Sequence, residues 1–395
     1  EFAVNSYGSG GTRVIQYNWF QNNIGQGTGT YVYDRSGSYV NPLDAEDNDH
    51  GCHVAGTVVG NTQGWARGAN IYNISPYPSN PNGNINSTMF DYVRAWHIQK
   101  PINPVTGRPN PTVTNHSYGS FITWNTDDFG PIVRVNYRNT DFNPGRNLTV
   151  QEMQARGFYT ADLTPIIPYY STALDADIQD AIDDGIIVVA SAGNNSWKTV
   201  TSADPDYNNT YYATFQGSGP FLWSGLHRGG GPSTYSETIT VGATSYFVDE
   251  RKASFSNCGD KIDIYAAGQA IQSSVNSATS TTDPRNSSYY LAKYQGTSMS
   301  APQVTGILAL LAETWPSMNQ SQARQWLQTY ALKDQMFDSG TTDPMDLTSL
   351  QGSLNYYLRW INQRKEIGTS YPNNTYAVRP VSKKAYPRLR LRRKG

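Results

Sequence analysis

Leu174-Asp175-Ala176-Asp177-Ile178-Gln179-Asp180-Ala181-Ile182-Asp183-Asp184-Gly185-Ile186-Ile187-Val188-Val189-Ala190 is the stretch from which the fold class can be read. Leu174, Ile178, Ala181 and Ile182 recur at i, i+4, i+7 and i+8, the spacing of one helix face, and Gly185 stops that helix. The apolar run Ile186 to Ala190 then reads as a strand buried on both sides. A helix feeding directly into such a strand predicts an α/β fold with a parallel sheet covered on both faces.

The same alternation extends along the chain. Further strands are expected at Arg13 to Tyr17, Tyr31 to Asp34, Asn70 to Ile74, Thr112 to Asn115, Thr238 to Gly242 and Ile262 to Tyr265. One helix runs through Val54, Ala55, Val58 and Val59 to the breaker Gly60-Asn61. Another carries Val304, Ile307, Leu308 and Leu311 on one stripe, and a third spans about Gln320 to Ala331. The spacing of Leu350, Leu354, Leu358 and Ile361 predicts a helix over 349–363. Segments 120–170 and 199–236 are long, aromatic and weakly periodic, and read as insertions that form functional loops or small elements of their own. The expected organisation is a main domain over 1–330, a helical extension over 331–365 and a flexible basic tail over 366–395.

Bulk properties narrow the class. The 395 residues suffice for a large core, and 12% aromatic against 15% charged residues is the style of an extracellular or particle-borne surface. Cys52 and Cys258 are expected to be free thiols, since pairing Cys52 would tie up its neighbour His50. No apolar run of the roughly 18 residues a membrane helix needs is present. Glu1-Phe2-Ala3 does not read as a secretory signal. Eight of the 30 basic residues lie in 379–395 with no acid among them, leaving 22 basic against 31 acidic residues elsewhere. That tail reads as solvated chain or as a docking arm for an acidic partner. It lacks the aromatic pattern of a nucleic-acid binder.

Two motifs carry chemistry. Ser298 lies in Gln295-Gly296-Thr297-Ser298-Met299-Ser300-Ala301-Pro302, and His50 in Asp49-His50-Gly51-Cys52-His53-Val54-Ala55-Gly56. A serine hydroxyl becomes a nucleophile only when a base takes its proton, and the base needs a third group to orient it. Thr297 and Ser298 are placed to open a helix, whose free N–H groups favour a developing oxyanion, with Pro302 expected in its first turn. His50 is expected just ahead of its own helix. His50 and His53 at i and i+3 also suggest a zinc pair, but no third ligand is near in sequence.

The segments His50 to Gly56 and Gly296 to Pro302 resemble the two signature motifs of the subtilisin-like serine proteases. The resemblance continues through Gly64-Trp65-Ala66-Arg67-Gly68-Ala69, Asn115-His116-Ser117-Tyr118-Gly119, Gly193-Asn194-Asn195, Ala253-Ser254-Phe255-Ser256-Asn257 and Ile264-Tyr265-Ala266-Ala267-Gly268. It covers about residues 30 to 330 in the family's order. It implies a serine endopeptidase with Ser298 as nucleophile, His50 as base, Asn194 as oxyanion donor, and Ser117, Tyr118 and Gly119 as the strand that binds the polypeptide substrate. Calcium is implied by the resemblance alone, as no acidic loop has convincing ligand spacing.

The chain departs from the family in two places. Cys52 stands where a Thr is usual, and the orienting Asp has no match before His50. Asp34, Asp44, Asp47 and Asp49 are candidates by position. The preferred reading treats Glu1-Phe2 as the end of a stretch just after that Asp, so that the first core strand and its acid come from an N-terminal piece upstream of this chain. The rival reading is a non-catalytic binding or structural protein of a virus particle or surface assembly, built on the same scaffold.

Overall fold

A computed structural model describes residues 1–5, 9–16, 49–74, 85–123, 129–157, 166–215, 218–246, 250–276, 281–284, 286–343 and 345–359. All of them fall in the unit Glu1–Arg359. The elements that build the core are, in chain order, β1 (Val14–Gln16), α1 (Asp49–Val59), β2 (Ile71–Asn73), α2 (Ile85–Ile98), β3 (Thr112–His116), α3 (Thr172–Asp183), β4 (Ile186–Ser191), β5 (Ile239–Thr244), β6 (Ile264–Ala267), β7 (Ile271–Val275), β8 (Asn286–Tyr294), α4 (Thr297–Thr314), α5 (Gln320–Tyr330), β9 (Leu332–Lys333) and β10 (Tyr356–Tyr357).

The helix-to-strand reading of 174–190 holds. Leu174, Ile178 and Ala181 of α3 pack with Phe90 of α2 against Ile186 and Val188 of β4. Gly185 turns the chain at φ +97°, a conformation glycine adopts without penalty. Every residue of β4 is buried, so Ile187 and Val189, which point the other way, are covered from the opposite face. Helix α4 packs across β3, β4 and β5. The main sheet has the order β9-β10-β6-β5-β4-β3, parallel from β3 through β10. Strand β9 joins antiparallel to β10.

A second, two-stranded piece pairs β1 with β2 in parallel. Helix α2 spans both pieces. Its Trp96 ring lies 4.1 Å from that of Tyr72 in β2, while Phe90 stacks at 4.9 Å on His116 of β3 and His97 Nδ1 meets Thr112 Oγ1 at 2.7 Å. Among the described residues β2 pairs only with β1, and β3 only with β4.

The two insertions fold onto each other. Strands 140–142, 129–137, 210–215 and 218–224 form a four-stranded antiparallel sheet in that order. Its core is Ile132, Val135, Leu148, Met153 and Tyr211. The 129–137/140–142 hairpin turns through Arg138 and Asn139, both at positive φ, as a two-residue connection demands.

Three expectations are corrected. The stretch 349–359 is not helical: Leu350 is fully buried beside Ala192, Ile262, Tyr265 and Met336. Gln351 and Gly352 then take left-handed φ values of +49° and +88°, which end any helix there. Strands β9 and β10 extend the main sheet beyond residue 330. His50 lies within the first turn of α1, which begins at Asp49. Pro302 is also deeper than expected, inside α4 and beyond its first turn. The expected strand at 31–34, Asp34, Asp44, Asp47 and the basic tail lie outside the described residues.

Candidate active site

Ser298 is the second residue of α4 and half-buried. Pro302 has no N–H to return to the carbonyl four residues back, so the Ser298 carbonyl is left without its helical partner. Ser117 fills that place, its hydroxyl donating to Ser298 O at 2.9 Å. The Ser298 hydroxyl in turn donates to Ser117 O at 3.2 Å. Behind this pair, Thr305 Oγ1 donates to Asn115 Oδ1 (3.0 Å), and Asn115 Nδ2 donates to Ser117 Oγ (2.9 Å). One turn of α4 thus grips the end of β3.

Asn194 stands exposed after β4. Its Oδ1 accepts from both the backbone N–H and the hydroxyl of Thr297, each at 2.9 Å. With the acceptor end doubly occupied, the amide nitrogen is left as the outward donor. It lies beside Gly296, where a Cβ would stand 3.3 Å from it and where φ is +142°. The Thr297 hydroxyl also accepts the Gly193 N–H at 3.2 Å, closing a clamp between the Asn194 loop and the start of α4. Thr297 was legible only as a motif letter; its side chain turns out to set the Asn194 amide.

Ser117, Tyr118 and Gly119 leave the end of β3. The Tyr118 hydroxyl is anchored on His116 Nδ1 (2.9 Å), whose other nitrogen meets Thr114 Oγ1 (2.9 Å). Burial drives the His116 pKa down to about 4, so that ring is neutral. Beyond Gly119, the Ser120 N–H and C=O are held by Gly231 O and Tyr169 N, both at 2.9 Å. The Tyr118 and Gly119 peptide groups have no hydrogen-bond partner among the described residues.

His50 is exposed overall, yet its surroundings desolvate the ring enough to lower its pKa below the ordinary imidazole value. Among the described residues it has no hydrogen-bond partner, Ser298 and every carboxylate included. Asp49 faces elsewhere: Oδ1 accepts the Asn276 N–H at 2.7 Å, and Oδ2 accepts the Tyr294 hydroxyl at 3.4 Å. His53 is buried and structural, its Nε2 on Ile271 O (2.9 Å) and Ala292 O (3.2 Å) and its ring stacked 4.5 Å from Tyr294. It docks α1 on the β7–β8 pair. Cys52 and Cys258 are free thiols. No group of three or more His, Cys, Asp or Glu side chains able to hold a metal occurs among the described residues.

The chain belongs to the subtilase family, whose model matches residues 14–350. It is 25% identical to an extracellular serine proteinase of Thermus sp. (strain Rt41A) over 299 residues, 75% of this chain and 49% of that protein. It is 30% identical to subtilisin E of Bacillus subtilis (strain 168) over 164 residues, 42% of this chain and 33% of that protein. It is 33% identical to an extracellular protease of Xanthomonas campestris pv. campestris over 147 residues, 37% of this chain and 20% of that protein. The chain thus spans about half the length of the Thermus relative and less of the others. A solved cold-adapted subtilisin-like serine proteinase aligns with a TM-score of 0.45 at 21% identity, covering 79% of this chain and 75% of that one.

Proposed function

We propose that this chain is the catalytic domain of an extracellular serine endopeptidase. Ser298 Oγ attacks the scissile carbonyl while His50 takes its proton and then delivers it to the leaving amine. Water then cleaves the acyl-enzyme by the reverse proton path. The Asn194 amide and the Ser298 N–H receive the negative charge that develops on the carbonyl oxygen. The unpaired peptide groups of Tyr118 and Gly119, continuing from Ser117, pair with the extended polypeptide substrate. The observation that carries this reading is the Thr297 clamp, which aims the Asn194 amide outward next to the nucleophile.

The orienting acid is supplied by residues upstream of Glu1. The names of the Thermus and Xanthomonas relatives favour an extracellular location. No helix among the described residues is long and apolar enough to cross a membrane. The basic tail, residues 379–395, would dock on an acidic partner.

A fluorophosphonate probe tests the assignment. Ser298 becomes labelled in the protein that includes the upstream residues, and Ser298→Ala abolishes labelling. No labelling of that protein would instead favour the non-catalytic scaffold.

A further inference from the structure

The loop 192–197 that carries Asn194 is held from below by one buried side chain, Asn257, which is 1% exposed. Asn257 Oδ1 accepts the N–H groups of Asn195 (3.1 Å) and Trp197 (3.0 Å), one on each side of the loop's turn at Ser196. Asn257 Nδ2 donates to Ala192 O at 2.7 Å, and its backbone N–H to Gly193 O at 3.0 Å. Two N–H groups facing Oδ1 and one carbonyl facing Nδ2 fix the orientation of the amide without ambiguity. Neighbouring backbone completes the seat, with Ser196 N donating to Phe255 O and Cys258 N to Trp197 O, both at 2.9 Å. The fit also explains Gly193: a Cβ there would lie 2.5 Å from Asn257 Nδ2.

We propose that Asn257 is a positioning residue for the oxyanion site, acting through the backbone on either side of Asn194. This rests on the endopeptidase reading above. An oxyanion donor is effective when it is already in place before charge develops, so that no reorganisation accompanies the reaction. Thr297 fixes the rotamer of Asn194, and Asn257 fixes the main chain from which that rotamer projects. Removing the Asn257 amide frees two N–H groups and one carbonyl of the loop at once. The loop then moves to find other partners and takes the Asn194 donor with it.

The test is a double-mutant cycle on peptide hydrolysis by the full-length protein. Asn257→Ala lowers kcat by about 10- to 100-fold, somewhat less than outright loss of an oxyanion donor. KM changes by no more than about 2-fold, since the Ser117–Gly119 strand is untouched. In an Asn194→Ala background the same substitution lowers kcat no further, because the group it positions is gone. Equal losses in both backgrounds, or a lowered melting temperature with unchanged kcat, would overturn the proposal. Should Asn257→Ala not fold, Asn257→Ser goes through the same cycle with the same criteria. A parent protein that neither hydrolyses peptides nor labels with fluorophosphonate overturns the endopeptidase reading and this proposal together; an active parent with additive losses overturns this proposal alone.

Discussion

Thr297 shows how one hydroxyl serves an amide two loops away. Its Oγ1 and N–H hold the acceptor end of Asn194, so Thr297→Val keeps the shape but removes one of two bonds. Steady-state kinetics on Thr297→Val should show kcat falling by about 10-fold with KM unchanged. Asn194→Ala should cost about 10²–10³, the magnitude known in this family for losing such a donor; a loss no larger than that of Thr297→Val would count against the assigned role. His50 offers a second measurement at this scale. Burial alone holds its pKa below the ordinary 6.5. A nearby carboxylate favours the protonated ring and raises that value. Titration of His50 by NMR should therefore give a pKa below 6.5 in the 395-residue chain and, on the proposal that the acid lies upstream, a higher one in protein that includes those residues. Activity that requires the neutral base is lost as pH falls through that pKa. An unchanged value on adding the upstream residues would place the acid elsewhere.

Helices α1 and α4, which carry His50 and Ser298, pack against each other. Their contact depends on Gly306, where a Cβ would lie 2.6 Å from the Trp65 Cβ and 3.2 Å from the Val58 carbonyl oxygen. Neither atom belongs to the free end of a flexible side chain, so Gly306→Ala must push the helices apart. Urea denaturation should show a loss of about 1–3 kcal/mol, the usual cost of overpacking a well-filled contact. Activity should fall with it, because the same displacement moves His50 relative to Ser298. A stable, fully active Gly306→Ala protein would show that the helix pair has slack. Pro302 belongs to this scale too: by withholding an N–H it leaves a carbonyl in the first turn of α4 for Ser117 to bond. The interruption that looks like a helix defect is what couples α4 to β3.

The whole molecule stores several neutral imidazoles. Desolvation lowers His116 to about 4; desolvation, with Lys100 nearby, lowers His97 to about 4 as well, and His227 is also held below its ordinary value. In the unfolded chain these groups titrate near 6.5, so between pH 6.5 and 4 the unfolded state binds more protons. Stability is therefore intact above about pH 6.5 and declines as pH falls towards 4. His97 and His116 account for up to about 3 kcal/mol each. Against a typical total of about 5–15 kcal/mol, that is a sizeable share of the stability. Denaturant midpoints measured from pH 7 to 4 should fall steadily, and His116→Gln should flatten part of the slope. A pH-independent midpoint over that range would contradict the buried neutral assignment.

The sequence by itself determined the helix-to-strand unit at 174–190, the strands at 112–116, 239–244 and 264–267 to within two residues, and the identities of Ser298, His50 and Asn194 as candidates. Those features rest on periodicity and on short motifs, which are local and survive translation into text. Only the tertiary structure decided the rest. It paired two insertions into one sheet, turned Leu350 inward where helical spacing promised a helix, and used Thr297, Asn115 and Asn257 to hold the site. Each of these depends on a partner between 62 and 190 residues away, such as Asn257 with Asn195 or Thr305 with Asn115. Bonds that bridge such distances are chosen by packing and by the need to satisfy buried polar groups, and neither leaves a periodic trace along the chain.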